Sequence, residues 1–576
     1  MRMRSLPTTC RVTAPLLVLF ALGCQAPGNG THAGTGEGGS SAGGGSAGGS
    51  VGLGGGVALP PGTQPAALLP ARIRRLALAE YQATVSSADV IGAGADGVSV
   101  DFVPDARQSG FTVNEAQRVD PVFAGQLATA ATALAADLRT HVAERAPCAN
   151  PATDADKCAE QFIRSFGEHA YRRPLGDDEV SQLLTVFHAA FDGGSYEEGI
   201  ELVVRAMLQS AAFLYLTEIG DAPAATVKLT PRELASSISY LVRGGPPSAE
   251  LVAAADAGRL ATPEGRRDVI ADPAINLYIG GEPQARVVRV IREWLGTDKV
   301  GDTAKDSNVY PAFAGLKPDI AQETNAFLQS LVSDNRDGGS LAQLLAADWT
   351  VVSPALAKLY GVTQSPDALN RVAVPSRLGI LNQSAFLSVF AHASETAPVL
   401  RGVALMRRVA CVDVGDPVEL KIAVVPPVPD PSKTTRERFA AHSTPGCNGC
   451  HDRIDNFGFA FEGFDGMGSS RTQDNGKPVD TSVVVSGTDF DGSYADSNAL
   501  VKAMSTSSQV RECFARHVFR ALAATSAPEL RPSEDDFVTY WKTHLSANGA
   551  AVADVKIIDT MSAFIESPSF AFRRAQ

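Results

Sequence analysis

The chain has 576 residues, too many for a single hydrophobic core, and is 44% hydrophobic and 20% charged with a net charge of −13. That balance argues against a nucleic-acid binder, which needs a basic face, and predicts a soluble, self-repelling surface. It names no partner.

The first 23 residues read as a signal peptide. Arg2, Arg4 and Arg11 flank the apolar run APLLVLFAL (14–22), which is about half the length of a bilayer-spanning helix. The run ends in ALGC (21–24), which resembles a bacterial lipobox; that resemblance implies cleavage after Gly23 and diacylation of Cys24. Gln25, rather than an aspartate, follows, and so resembles lipoproteins delivered to the outer membrane. Residues 24–65 are dominated by Gly, Ser and Ala, with little to bury against the entropy of ordering. They predict a flexible tether of about 40 residues and roughly 35 Å r.m.s. length. No later segment has the length and apolarity of a transmembrane helix.

From about Ala66 the pattern predicts a mainly α fold of several helical domains. TPRELASSISYL (230–241) starts with Thr as N-cap, Pro231 at the first helical position and Glu233 closing a capping box. SPALAKLYG (353–361) begins with Ser-Pro and stops at a glycine. EEGIELVVRAMLQSAAFLYLTEI (197–219) reads as one long, largely buried helix. Breaks are expected near Pro223, at 362–367 and at 424–431. The one clear β signal is RTQDNGKPVDTSVVVSG (471–487), where Asn475-Gly476 fits a type I′ hairpin turn.

Of eight cysteines, Cys10 leaves with the signal, Cys24 is the lipidation candidate and Cys447 and Cys450 belong to the motif below. The other four allow three pairings. CANPATDADKC can close a short loop between Cys148 and Cys158, which leaves Cys411 to pair with Cys513 if disulfides form at all.

The stretch PGCNGCHDRIDNFGF (445–459) has four readings. Covalent c-type haem needs two thiols on one short turn and a histidine beside the second as proximal iron ligand, and Cys447, Cys450 and His451 supply that order. Structural zinc wants four ligands, and no second CxxC or HxxxH follows. A thioredoxin-like redox pair wants a strand before it, whereas TTRERFAAHSTPG (434–446) reads as a capped helix and a turn. The fourth reading is chance assembly from eight Cys and nine His, on the order of one in several hundred for a chain this long. Haem leads. Met467, on the glycine-flanked loop FDGMG, is the candidate distal ligand, with His442 and His517 as alternatives and Met504 behind them.

The flanks carry a family resemblance. RLGILNQSAFL (377–387), ETAPVLRGVALMRRVAC (395–411) and CNGCHDRIDNFGFAFEGFDGMGSSR (447–471) resemble the extracellular cytochrome c-type module of a planctomycete- and myxobacterium-associated family of secreted multidomain proteins, built from planctomycete-specific domains of unknown function. RRLALAEYQATV (74–85), CAEQFIRSFGEHAYRRPL (158–175), LTPRELASSISYLVRGGPPSAEL (229–251), Glu323-Thr324 and the helices leading to PSFAFRR resemble its other modules. Ala397, Asn456 and Arg243 depart from the family's usual serine, proline and tryptophan. None of the three is a haem-motif residue.

The resulting division is signal peptide 1–23, lipidated linker 24–65, helical modules 66–140 and 141–222, a central helical domain 228–362, a cytochrome c-like module 373–487 and a C-terminal helical module 490–576. The expected function is that of an exported, membrane-tethered c-type haem protein, passing electrons to or from a redox partner at the cell surface. Alternatives are a haem enzyme acting on peroxide or an organic substrate, and a surface-binding scaffold. No nucleic-acid partner is expected, and no catalytic residue can be named.

Overall fold

Helix ends written into the sequence set many of the boundaries. Thr230 caps the helix Pro231–Val242 by accepting a hydrogen bond from the Glu233 amide, and Glu233 reaches back to the Thr230 amide, which completes the capping box. Ser353 caps Pro354–Tyr360, and Gly361 ends it in the left-handed region at φ 70°. The structure, a computed structural model, describes residues 59–575 except 61–62, 98–99, 222–223, 274, 276–280, 334–338, 363–368, 416–418, 420–427, 429, 446, 526–529 and 548–554. Cys24, the signal peptide and almost all of the glycine-rich tether lie outside the described residues, as do Pro223 and most of the two later breaks.

The fold is mainly α, with short two-stranded antiparallel sheets. Among the described residues no helix is long and apolar enough to cross a membrane. The I′ turn forms as expected: Gln473–Asp474 pairs with Lys477–Pro478, with Asn475 and Gly476 both at positive φ (51° and 78°). The run Val483–Val485 pairs with Gly492–Tyr494.

One expectation fails. The segment 197–219 is not a single helix. Tyr196–Met207 is helical, Ser210 caps a new short helix Ala211–Leu214, and Tyr215–Glu218 is a strand. The Ser210 hydroxyl accepts from the Phe213 amide and donates to the Met207 carbonyl, which satisfies the helix ends at the break. Tyr, Leu and Thr then find a partner strand, Arg72–Arg75. Tertiary pairing outweighs the continuous apolar pattern.

Leu53–Gln576 forms one compact unit. One core gathers the helices Pro121–Arg139, Pro151–Tyr171, Asp177–Phe191 and Tyr196–Met207 around Phe162, Phe187, Ile200 and Met207. A larger core runs without interruption from Leu234 through Trp294, Phe386 and Phe457 to Phe514 and Phe564, so segments 228–362, 373–487 and 490–576 share it. A smaller cluster holds Tyr310, Phe313, Leu356 and Met467. Both disulfides form as expected, Cys148–Cys158 and Cys411–Cys513, with Cα atoms 5.5 and 5.3 Å apart. The second closes a loop of 102 residues, worth at most about 4–5 kcal/mol by chain entropy.

The two ends of the described chain meet in a charged junction. Phe572–Arg574 pairs with Thr226–Lys228, and Glu218 accepts from Arg72 (2.8 Å) and Arg573 (2.7 and 3.1 Å). Burial works against the carboxylate, but Arg573 and Arg72 outweigh it and hold Glu218 well below the usual range.

Glu323 has no ion pair among the described residues, although the charge of Arg377 acts on it from a distance. It is fully buried and accepts from Thr350 (2.9 Å) and Tyr360 (2.7 Å), while Gln383 donates to Thr350. Burial pushes its carboxyl up to about 7. A carboxyl raised in the folded state binds more protons there than when unfolded, so stability falls as pH rises from about 4.5 through about 7. The expected loss is of order 3 kcal/mol. Denaturation midpoints of Glu323→Gln should lack this component, and a parallel pH slope in the variant would contradict the assignment.

Candidate functional site

The motif is launched by a tight turn. The Cys447 and Asn448 amides both bond the Thr444 carbonyl at 3.1 Å, and the His451 amide bonds that of Cys447, which starts the helix Asn448–Phe459. Cys447 is therefore the N-cap, and Cys450 and His451 lie three and four residues on, on one face of the first turn. Before the turn come the short capped helix Thr435–Arg438 and a 3-10 turn, Phe439–Ser443, rather than a strand, so the thioredoxin-like context is absent among the described residues.

Cys447 and Cys450 are free thiols and both are exposed, so they form no disulfide. His451 Nδ1 lies 2.9 Å from one oxygen of the Asp455 carboxylate, and His442 Nδ1 lies 2.7 Å from the other. The two imidazoles are neighbours, with ring centroids 3.9 Å apart, and Phe439 packs edge-on against His442. His442, His451 and Asp455 bring their ligand atoms within 4.8 Å of one another, and the two thiols do not join that cluster.

This donor set fits a covalent haem better than a four-ligand zinc. Thioether formation needs two exposed thiols on one face and an imidazole beside them whose outer nitrogen is free. Asp455 engages Nδ1 and leaves His451 Nε2 without a hydrogen-bond partner among the described residues. Sequence reading missed Asp455, although its i+4 spacing from His451 was there to be seen.

The remaining candidates are placed elsewhere. His442 shares the carboxylate of His451, and its ring is too close for an iron atom to lie between the two imidazoles, so it is not a distal partner in this arrangement. Met467 is buried in the cluster of Val300, Tyr310, Phe313 and Leu356, and the Gly466 amide donates to the Tyr310 hydroxyl. His517 is buried against Trp294, 6.0 Å between centroids, beside the Cys411–Cys513 disulfide. Burial, with Arg520 and Arg408 beside it, pushes His517 down to about 3 and keeps it neutral. Met504 is fully buried in the large core. The apolar residues following the motif, Ile454, Phe457, Phe459, Phe461 and Phe464, are also core residues, so they do not present an open apolar wall beside the thiols.

What presses the motif helix into place is a glycine contact and a buried arginine. The helix Pro398–Ala404 crosses it so closely that a Cβ on Gly458 would stand 1.9 Å from the Pro398 carbonyl oxygen, and one on Gly402 would stand 2.0 Å from that of Ile454. Arg401, fully buried between them, donates to the carbonyls of Phe461, Phe464, Leu387 and Asp465 and pairs with Glu462 at 3.4 Å. Glu462 also accepts from Arg471 (2.6 Å) and Thr396 (2.8 Å). The segment ETAPVLRG thereby clasps the chain just after the motif.

Comparison with known families matches three segments of the chain. Residues 377–474, which hold the clasp and the motif, match the family PSCyt3, described as a protein of unknown function (DUF1588). Residues 229–362 match PSD4, described likewise (DUF1592), and residues 158–218 match PSD5 (DUF1595). No curated protein and no solved structure matches the chain. Between residues 158 and 474 the chain is thus a series of segments similar to three families of unknown function.

Proposed function

We propose that the segment around Cys447 binds haem c covalently and that the protein is an exported electron carrier of the cell envelope, tethered through Cys24. Cys447 and Cys450 would hold the group by thioether bonds and His451 would ligate its iron. The observation that carries this reading is the pairing of two free, exposed thiols with a histidine whose Nδ1 is engaged by a buried carboxylate. Such a group supplies one-electron iron chemistry when bound.

The chain's own residues supply the rest. Asp455 engages Nδ1 of His451, fixes the orientation of the ring and leaves its other nitrogen free to ligate the iron of a bound haem. The Gly402–Gly458 contact and Arg401 hold the motif helix rigid, so little reorganisation accompanies a change of charge. A carrier of this kind works with a redox partner protein at the cell surface.

A second reading, a haem enzyme acting on peroxide or an organic substrate, is favoured by one observation. Met467 and His517 are packed into side-chain clusters, and the His442 ring lies 3.9 Å from that of His451. A haem held by His451 without a second protein ligand would admit small molecules.

An optical spectrum of protein matured with c-type haem-attachment machinery separates these readings. A Soret band and haem staining that survives denaturation are expected, and both should vanish in Cys447→Ala/Cys450→Ala. A low-spin spectrum supports the carrier and a high-spin, ligand-sensitive one the enzyme. Absence of the band, with Cys447 and Cys450 paired to each other, overturns both.

A further inference from the structure

The Cys411–Cys513 disulfide has a third member. His517 stands one helical turn beyond Cys513 on the helix Ser508–Leu522, and the two sulfurs and a ring nitrogen all lie within 4.8 Å of one another. His517 is 94% buried by its 6% exposure, and neither ring nitrogen has a hydrogen-bond partner among the described residues. The Arg407 backbone lies near enough to favour the charged ring slightly, but not in hydrogen-bonding geometry. A buried imidazole with both nitrogens unused costs about 1–3 kcal/mol for each unmet polar group, so its place beside two sulfurs calls for a use.

We propose that Cys411, Cys513 and His517 form a redox-gated site for a d10 metal ion of the zinc class, closed by the disulfide and opened by reduction. A dithiol reductant breaks the Sγ–Sγ bond, puts two electrons on the sulfurs and leaves as a disulfide itself. The two thiols then lose their protons as the ion binds through both thiolates and one imidazole nitrogen.

Geometry and charge both suit this. Two thiolates on tetrahedral zinc sit about 3.8 Å apart, from Zn–S bonds of about 2.3 Å, so once the bond is reduced the two sulfurs need only part modestly, while the His517 ring nitrogen already lies within 4.8 Å of both. Two thiolates and a divalent ion are together neutral, so the apolar surroundings of Trp294 and Phe514 take in no net charge. Cys513 is buried whereas Cys411 is exposed, so the reductant has an approach and water can complete the fourth position. Whether disulfide or metal, the staple joins the end of Leu405–Val409 to the C-terminal helices.

The test uses the full chain carrying Cys447→Ser and Cys450→Ser, which silences the motif. It is reduced with a phosphine, freed of reductant without air and titrated with cobalt(II). The expected result is a thiolate-to-cobalt charge-transfer band saturating at one equivalent in the reduced protein and missing in the oxidised one. Cys513→Ser should remove the band, and His517→Gln should weaken binding by about ten-fold or more, with the helical circular dichroism kept. Adding Cys148→Ser and Cys158→Ser should leave the band in place. The proposal is overturned by a folded, reduced chain that takes up no cobalt, by binding indifferent to His517→Gln, by a band that depends on Cys148 and Cys158, or by loss of the fold on reduction.

Discussion

Arg401→Met is expected to cost about 3–5 kcal/mol, a large part of the roughly 5–15 kcal/mol that holds a domain folded. The guanidinium is fully buried and bridges four carbonyls and Glu462. Methionine fills the space but donates nothing, so those carbonyls lose their donor and Glu462 keeps only Arg471 and Thr396. Burial already pushes the Glu462 carboxyl upward against the pull of Arg401 and Arg471, and with Arg401 gone it should rise further. Arg401→Lys should fare little better, because one ammonium cannot span acceptors spread around a planar fork. Urea denaturation is the measurement. A midpoint for Arg401→Met that lies within about 1 kcal/mol of the parent would show the clasp to be ornamental.

Gly458→Ala should be nearly as damaging, although alanine is the better helix former by about 1 kcal/mol. The new methyl would stand 1.9, 2.5 and 2.8 Å from the O, C and Cα of Pro398, all backbone atoms. They cannot swing aside as a side chain could. The two helices must separate, at a cost of about 3 kcal/mol or more. Gly402→Ala forces the same separation from the other side, against Ile454. The double variant should therefore lose clearly less than the sum of the two single losses. If the losses add within about 0.5 kcal/mol, the two glycines do not act on one contact. On the haem proposal, Soret absorbance per chain should also fall with both substitutions.

Some of this was legible in the residues themselves. Thr230-Pro231 with Glu233, Ser353-Pro354 with Gly361, and Asn475-Gly476 each state a local geometry, and each takes it. The cysteine pairing followed from loop length and counting. The segment 197–219 misled because a strand partner 140 residues away, Arg72–Arg75, decides its second half. Met467 and the phenylalanines after the motif read equally well as ligand, haem wall or core, since burial is a property of the whole packing and not of the local pattern. Asp455, shared by two histidines, was readable only for its own-helix partner; His442 reaches it from the preceding turn. Nothing in ETAPVLRG marks Arg401 as buried, and only the folded chain puts four carbonyls around it.

The strand Phe572–Arg574 lies against Thr226–Lys228, Arg574 bridges to Pro70, and Arg573 meets Glu218. The ribosome delivers Arg573 355 residues after Glu218. Until it arrives, Thr226–Lys228 lacks its partner strand and Glu218 lacks one of its two paired guanidiniums. The helices made before then can form early, but closure of this junction waits for a segment made much later, the reverse of a chain that folds domain by domain as it emerges. A substitution or deletion within 572–574 therefore acts as a core mutation rather than a surface change.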